Sequence, residues 1–331
     1  MENFYFLTHD RHDPYFNLAS EEYLLTCRSE NFIYVWVNEP AVILGVNQNA
    51  PEEVNFAYTE ANNIKVARRR TGGGAVYHDE GNICYTVIAP FDSAVNNYKK
   101  FTAPVIEYLN TLGVDARFSG RNDITVEERK ISGNAQTVYK DRIMHHGTLL
   151  FNTDLSVLSR ALKPNPLKMQ SKGIKSVRAR VANISEFIKE KMTARQFKKG
   201  LCEYFERLYP RFELGEKDLA RINVIRKKKY SSYEWIFGQS PKGSNSFEER
   251  FSFGTLKLNF DTENGVIVSP CITGDFFTLK DIAGLEKALE GARFSPKEIK
   301  TAISCISEYI PGADAYEFIN KMFGEDGGAK E

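Results

Sequence analysis

Four runs decide the fold class: Ile83-Cys84-Tyr85-Thr86-Val87-Ile88, Asp123-Ile124-Thr125-Val126, Ala135-Gln136-Thr137-Val138-Tyr139 and Gly147-Thr148-Leu149-Leu150-Phe151. Each is strand-length and rich in residues that suit a pleated, half-buried surface. Between Lys65 and Phe151 one helical pattern interrupts them, around Pro104 to Leu112. Strands joined largely through hairpins, with helices grouped apart, predict an α+β domain: a mixed or antiparallel sheet with packed helices, not a doubly wound parallel sheet.

Toward the N-terminus, Asp13-Pro14 precedes Tyr15 to Leu25, whose apolar members recur at helical spacing behind a capping residue, so a first helix is expected. Phe32 to Val37 and Ala41 to Val46 are β-rich and separated by Asn38-Glu39-Pro40, which reads as a hairpin. Toward the C-terminus, residues 192–209 read as a helix and Arg221 to Tyr230 as a charged stretch. The turn formers from Gly238 to Asn245 mark an expected boundary between a large domain, 1–244, and a small one, 245–331. Beyond it, Phe251 to Phe260 and Gly265 to Val268 read as a strand pair. Two or three helices follow over Leu279 to Phe323, making a small α+β unit with a frayed tail from Gly324.

Composition bounds the function without naming it. With 331 residues, 42% hydrophobic and 26% charged, the chain is long enough for two unequal cores and too apolar for wholesale disorder. A formal net charge of +1 argues against a protein whose main task is holding nucleic acid. Cys27, Cys84, Cys202, Cys271 and Cys305 have no CxxC spacing and an odd count, which fits free thiols in a reducing compartment. Acids and histidines interrupt the first 25 residues, and no apolar run approaches the ~18 needed to span a bilayer. The expectation is a cytoplasmic protein without a membrane partner.

The stretch richest in chemistry is Arg68-Arg69-Arg70-Thr71-Gly72-Gly73-Gly74-Ala75-Val76-Tyr77-His78-Asp79. Consecutive glycines let backbone amides approach a ligand, and adjacent arginines neutralise phosphate or carboxylate oxygens. A tight turn beside solvated arginines is the plainer alternative. The spacing matches neither the P-loop nor the dinucleotide fingerprint. Lys130, in Arg129-Lys130-Ile131-Ser132-Gly133-Asn134, opens an alternating run that suits a lysine held on a strand and aimed into a cleft, although alone it reads as a surface lysine. His145 and His146 fall on opposite faces of a strand and do not chelate one metal together; without HExxH or paired cysteines, zinc is not expected. Leu155 to Ser185 carries seven Lys and Arg residues and no acid, a basic loop suited to a phosphate or an acidic protein surface.

Taken in order, these segments resemble the lipoate-protein ligase A family of the biotin/lipoate protein ligase superfamily. The resemblance runs from Pro14-Tyr15-Phe16-Asn17-Leu18-Ala19 through the triple-glycine segment, Gly120-Arg121-Asn122-Asp123, Lys130-Ile131-Ser132-Gly133 and His145-His146-Gly147-Thr148-Leu149-Leu150 to Gly173-Ile174-Lys175-Ser176-Val177-Arg178 and the C-terminal unit. It implies a catalytic domain related to the biotin ligases and class II aminoacyl-tRNA synthetases, plus a C-terminal accessory domain. It also implies an ATP-dependent, AMP-forming ligase: lipoate and ATP give lipoyl-AMP and pyrophosphate, and a lysine of a lipoyl domain then displaces AMP. Implied acceptors are the E2 subunits of 2-oxoacid dehydrogenases and the glycine cleavage H protein.

Carried over by position, the resemblance assigns ATP contacts to Arg69 and the backbone of Gly74, Ala75, Val76 and Tyr77, and contacts with both ATP and lipoate to Lys130. A cation there offsets repulsion between the lipoate carboxylate and the α-phosphate. Mg2+ is implied on the phosphates, with Asp123 as the candidate that helps place it. Arg70-Thr71 departs from the small or serine pair that close relatives carry, leaving Arg70 without a role. Three other readings compete: an ATP-independent octanoyl or lipoyl transferase using Cys84 as thioester nucleophile, a nucleic-acid-binding relative using the basic stretch, and a biotin ligase.

Overall fold

The computed structural model describes residues 3–91, 98–120, 122–163, 181–237, 245–263 and 265–323. Most of the basic stretch, the matched Gly173–Arg178 segment, Arg121, the turn-rich 238–244 and the tail from Gly324 lie outside the described residues.

In chain order the first strands are β1 (Phe4–Thr8), β2 (Asn31–Val37), β3 (Ala41–Leu44), β4 (Lys65–Arg68), β5 (Val76–His78) and β6 (Asn82–Pro90). They are followed by β7 (Arg117–Ser119), β8 (Asp123–Val126), β9 (Arg129–Tyr139) and β10 (Arg142–Leu150). The large sheet runs β1-β2-β6-β10-β9-β8-β7. Its β1–β2 pair is parallel and its other pairs antiparallel, so it is mixed and mainly antiparallel, as the sequence predicts.

The expected hairpin is not formed. β2 pairs with β1 and β6, whereas β3 joins a separate sheet in the order β4-β3-β5. β2 is buried along nearly its whole length and takes a neighbour on each edge, so Asn38-Glu39-Pro40 carries the chain from one sheet to the other.

Alternation then builds two cores on one sheet. Phe32, Tyr34, Trp36, Cys84, Ile88 and Met144 face helix α1 (Pro14–Cys27), whose Asp13 cap accepts from the Tyr15 amide. Ile33, Val35, Ile83, Tyr85 and Val87 face the other way, onto the helices Tyr98–Thr111 and Ala194–Leu208. His145 and His146 obey the same rule. His145 is fully buried among the rings of Tyr85, Tyr98 and Phe101, while His146 turns toward α1 and Glu21.

The C-terminal residues form their own core from Phe251 to Ile319. The expected Phe251–Phe260 strand is broken by a turn, giving a three-strand antiparallel meander: β11 (Asn245–Phe251), β12 (Gly254–Glu263) and β13 (Val266–Gly274). Four short helices follow among the described residues, Ala283–Leu289, Pro296–Ala302, Ile306–Tyr309 and Ala315–Phe323. Among the described residues no helix is long and apolar enough to cross a membrane.

Two local features bear on stability. The β8–β9 turn places Glu127 and Glu128 at φ 49° and 61°, left-handed conformations that suit Asn and Gly. Glu127→Asn with Glu128→Gly is expected to raise the urea-unfolding free energy by about 1 kcal/mol. Burial, and secondarily the neighbouring His146, hold the His145 pKa well below the ordinary 6.5. Below pH 6.5 the unfolded chain therefore binds a proton that the folded one refuses. Stability falls as the pH is lowered through this range, by up to about 1.4 kcal/mol per pH unit. Urea titrations of wild type and His145→Gln are expected to show the shallower fall in the variant.

Candidate active site

Arg68 ends strand β4 and Arg69 follows it, and as neighbours on extended backbone they point to opposite sides. Both are buried, Arg68 fully and Arg69 at 6% exposure. Arg68 donates through Nε and Nη2 to the Trp235 and Ile236 carbonyls, and through Nη1 to those of Gly45, Val46 and Gln48. Arg69 donates from Nη1 to Ile43 O at 3.0 Å, and from Nη2 to Gly72 O at 2.6 Å and Gly74 O at 2.9 Å. Burial lowers both pKa values to about 10, which leaves both cations charged at neutral pH. Both arginines therefore spend donors on backbone carbonyls, and Arg69 spends Nη2 on those of the loop itself. Arg70 is held differently, 3.5 Å from Glu22 and over the Tyr139 ring.

The glycines serve this geometry. Gly73 has φ 90°, a conformation that disfavours any side chain, and a Cβ on Gly72 would lie 2.3 Å from Phe276 O. The Gly73 amide donates to that carbonyl at 3.1 Å, so the C-terminal unit touches the loop directly. Gly74 has more room: a Cβ there would come no nearer than 4.0 Å to its closest neighbour, Asp275 Cβ.

Lys130 reaches the same place through a β-bulge. Ile124 faces Ser132 and Thr125 faces Lys130, so Ile131 is the extra residue. Ile131 drops fully buried into the core, and Lys130 returns to the side occupied by Gly133. A Cβ on Gly133 would meet Lys130 Nζ at 2.8 Å, so the lysine lies across bare backbone. Its Nζ stands 2.8 Å from Asp123 Oδ1, an ion pair that is not aligned as a hydrogen bond. The Ala182 amide donates to the Lys130 carbonyl at 3.0 Å, which fixes the strand where the basic stretch ends.

Between these parts lies a cavity of about 200 Å³. Arg69, Gly73, Gly74, Ala75 and Val76 form one wall, and Asn122, Lys130, Gly133 and Asn134 another. Leu18, Trp36, Ile43, Cys84 and His146 supply an apolar chamber, and Phe277 closes it from the C-terminal unit. The structure thus brings together Arg69, Gly74, Ala75, Val76 and Lys130. Tyr77 and Asp123 are adjacent but outside the lining: Tyr77 is buried in the core beneath β5, and Asp123 holds the lysine. Sequence reasoning assigns no role to Leu18, Trp36 or Phe277. Leu18 and Trp36 have the periodicity of core residues, and Phe277 lies more than 140 positions from Lys130.

Cys84 does not have the surroundings of a nucleophile. Burial, then the charge of Glu21, push its thiol pKa well above the ordinary value. Its neighbour His78, 3.6 Å away, is driven down to about 3 by burial and by the nearby Arg69 and His146, which makes it a poor base. Among the described residues no group of three or more His, Cys, Asp or Glu side chains is placed to hold a metal.

Residues 13–206 match the family described as "Lipoyl protein ligase A/B catalytic domain", and residues 240–322 match "Bacterial lipoate protein ligase C-terminus". The chain is 42% identical to lipoate–protein ligase 1 of Staphylococcus aureus, over 94% of this chain and 97% of that one. It is 41% identical to lipoate-protein ligase LplJ of Bacillus subtilis, over 95% of each. Among solved structures, P. falciparum LipL1 in complex with lipoate superposes with TM-score 0.72 at 26% identity, covering 96% of this chain and 98% of that one. A lipoate-protein ligase A bound with ATP superposes with TM-score 0.59 at 29% identity, covering 71% and 98%. The glycine-rich loop, the bulged lysine and the apolar chamber thus belong to a known kind of enzyme: the chain is a member of the lipoate-protein ligase family.

Proposed function

We propose that this ligase activates lipoate with ATP at the cavity and then passes the lipoyl group to a lysine of an acceptor lipoyl domain. The observation that carries this reading is that Lys130 lines one cavity together with apolar residues and the glycine-rich loop. A lipoate carboxylate and an α-phosphate repel each other, and a fixed ammonium between them offsets that repulsion and the charge that develops as they react. A carboxylate oxygen forms the new bond to the α-phosphorus and pyrophosphate leaves. The acceptor ε-amine next attacks the acyl carbon, AMP leaves, and the amine proton passes to solvent.

In this reading Arg69 and the backbone of Gly74, Ala75, Val76 and Tyr77 hold the nucleotide, Arg69 by setting the loop's shape. Lys130 serves ATP and lipoate together. Asp123 is its counter-ion and is also the carboxylate available to Mg2+. A nucleotide-bound Mg2+ takes most of its ligands from phosphates and water, so one carboxylate fits the need. When bound, it would supply charge neutralisation to the departing pyrophosphate. The related structures bound to lipoate and to ATP support the substrate pair. A Thermoplasma acidophilum bipartite ligase described with its E2 lipoyl domain, 30% identical with TM-score 0.64, supports lipoyl domains as acceptors. E2 subunits and the glycine cleavage H protein are the acceptors we propose, in the cytoplasm, with catalytic residues 1–244 and accessory residues 245–331.

Lipoate-dependent exchange of labelled pyrophosphate into ATP tests this reading. The Lys130 side chain is partly exposed, so Lys130→Ala is expected to fold normally while exchange falls about 100-fold or more. Wild-type exchange in that variant would sink the assignment. Cys84→Ser is expected to retain ATP-dependent activity within about threefold, whereas a thioester mechanism demands its loss.

A further inference from the structure

The reaction as proposed makes no use of Thr71, His146 or Glu21, yet these three buried side chains join the two halves of the cavity. Arg69 Nε donates to Thr71 Oγ1 at 2.9 Å, and Thr71 Oγ1 lies 2.8 Å from His146 Nε2. His146 Nδ1 lies 2.9 Å from Glu21 Oε1, which also accepts from Thr86 Oγ1 at 2.6 Å. Thr86 Oγ1 in turn accepts from Trp36 Nε1 at 3.0 Å.

With His146 as a neutral imidazole each bond has one direction. Glu21 as a carboxylate only accepts, so the His146 Nδ1–H donates to it, and Nε2 accepts from the Thr71 hydroxyl. Thr71 oxygen is then left to accept from Arg69. Every link has one donor and one acceptor, and moving one member unpairs its buried neighbours. His146 and Trp36 are walls of the apolar chamber, while Arg69 holds the Gly72 and Gly74 carbonyls.

We propose that Thr71, His146 and Glu21 are positioning residues that lock the rotamer of Arg69, and with it the glycine-rich nucleotide loop, to the walls of the acyl chamber. The proposal rests on the reading of that loop as the ATP site. Thr71 is the informative position, because it is fully buried and lies outside the cavity lining, meeting the cavity only through Arg69 and His146.

The test measures pyrophosphate exchange in wild type, Thr71→Val and Thr71→Ser, with lipoate affinity read separately by calorimetry. Valine keeps the shape and removes the hydroxyl; serine keeps the hydroxyl. Thr71→Val is expected to raise the KM for ATP about tenfold while lipoate Kd stays within about twofold, and Thr71→Ser to restore the wild-type KM. A wild-type KM in Thr71→Val overturns the relay, as does an equal rise in both variants. Should the valine variant not fold, Thr71→Ala leaves room for a bridging water, and a smaller rise in the same KM is expected; no rise overturns the proposal. Absence of exchange in the wild type itself would remove the ATP reading, and the relay with it.

Discussion

Two guanidinium groups back to back set the geometry on which the rest of the site depends. Arg68 and Arg69, at the end of β4 and just beyond it, point in opposite directions, and each meets backbone carbonyls instead of carboxylates. Burying a cation among neutral dipoles is costly, and it persists because several carbonyls share each charge. The result is a stiff frame. Arg68 ties the helix Tyr233–Phe237 to the turn after β3, and Arg69 ties β3 to the glycine-rich loop. The loop's carbonyls are engaged from inside, so its shape does not wait for a ligand.

The opposite wall is set by register. A regular β9 would send Lys130 to the same face as Ser132 and into the core. One bulged residue, Ile131, satisfies the core and returns the lysine to the cavity. The bare backbone of Gly133 provides its track, and Asp123 balances its charge. A single irregularity in hydrogen-bond pairing therefore separates a lysine turned into the core from one that lines the cavity.

Much of this was legible in the sequence. The α+β class, the capped first helix, strands β6 and β8, and the opposite facing of His145 and His146 follow from periodicity and capping chemistry. The supposed hairpin after Phe32 was not, because turn residues specify a change of direction but not which strand becomes the partner. Arginines beside glycines read as phosphate ligands; their burial against carbonyls depends on β3 and residues 235–236, far away in the chain. The bulge left no local mark, since Lys130 and Ile131 suit a strand in either register. Phe277 joined the site only through packing between distant segments.

The hydrogen bond between the loop and the C-terminal unit is made by backbone atoms: the Gly73 amide meets the Phe276 carbonyl, and the absent Gly72 side chain makes room for it. An alanine scan of residues 275–277 would leave that bond untouched and would understate how closely the two parts of the chain are joined. Genetic defects in the C-terminal unit should instead find their closest counterparts at Gly72, where adding a single methyl group wedges the surfaces apart. One place where the two parts of the chain meet is thus recorded in the sequence as a missing side chain.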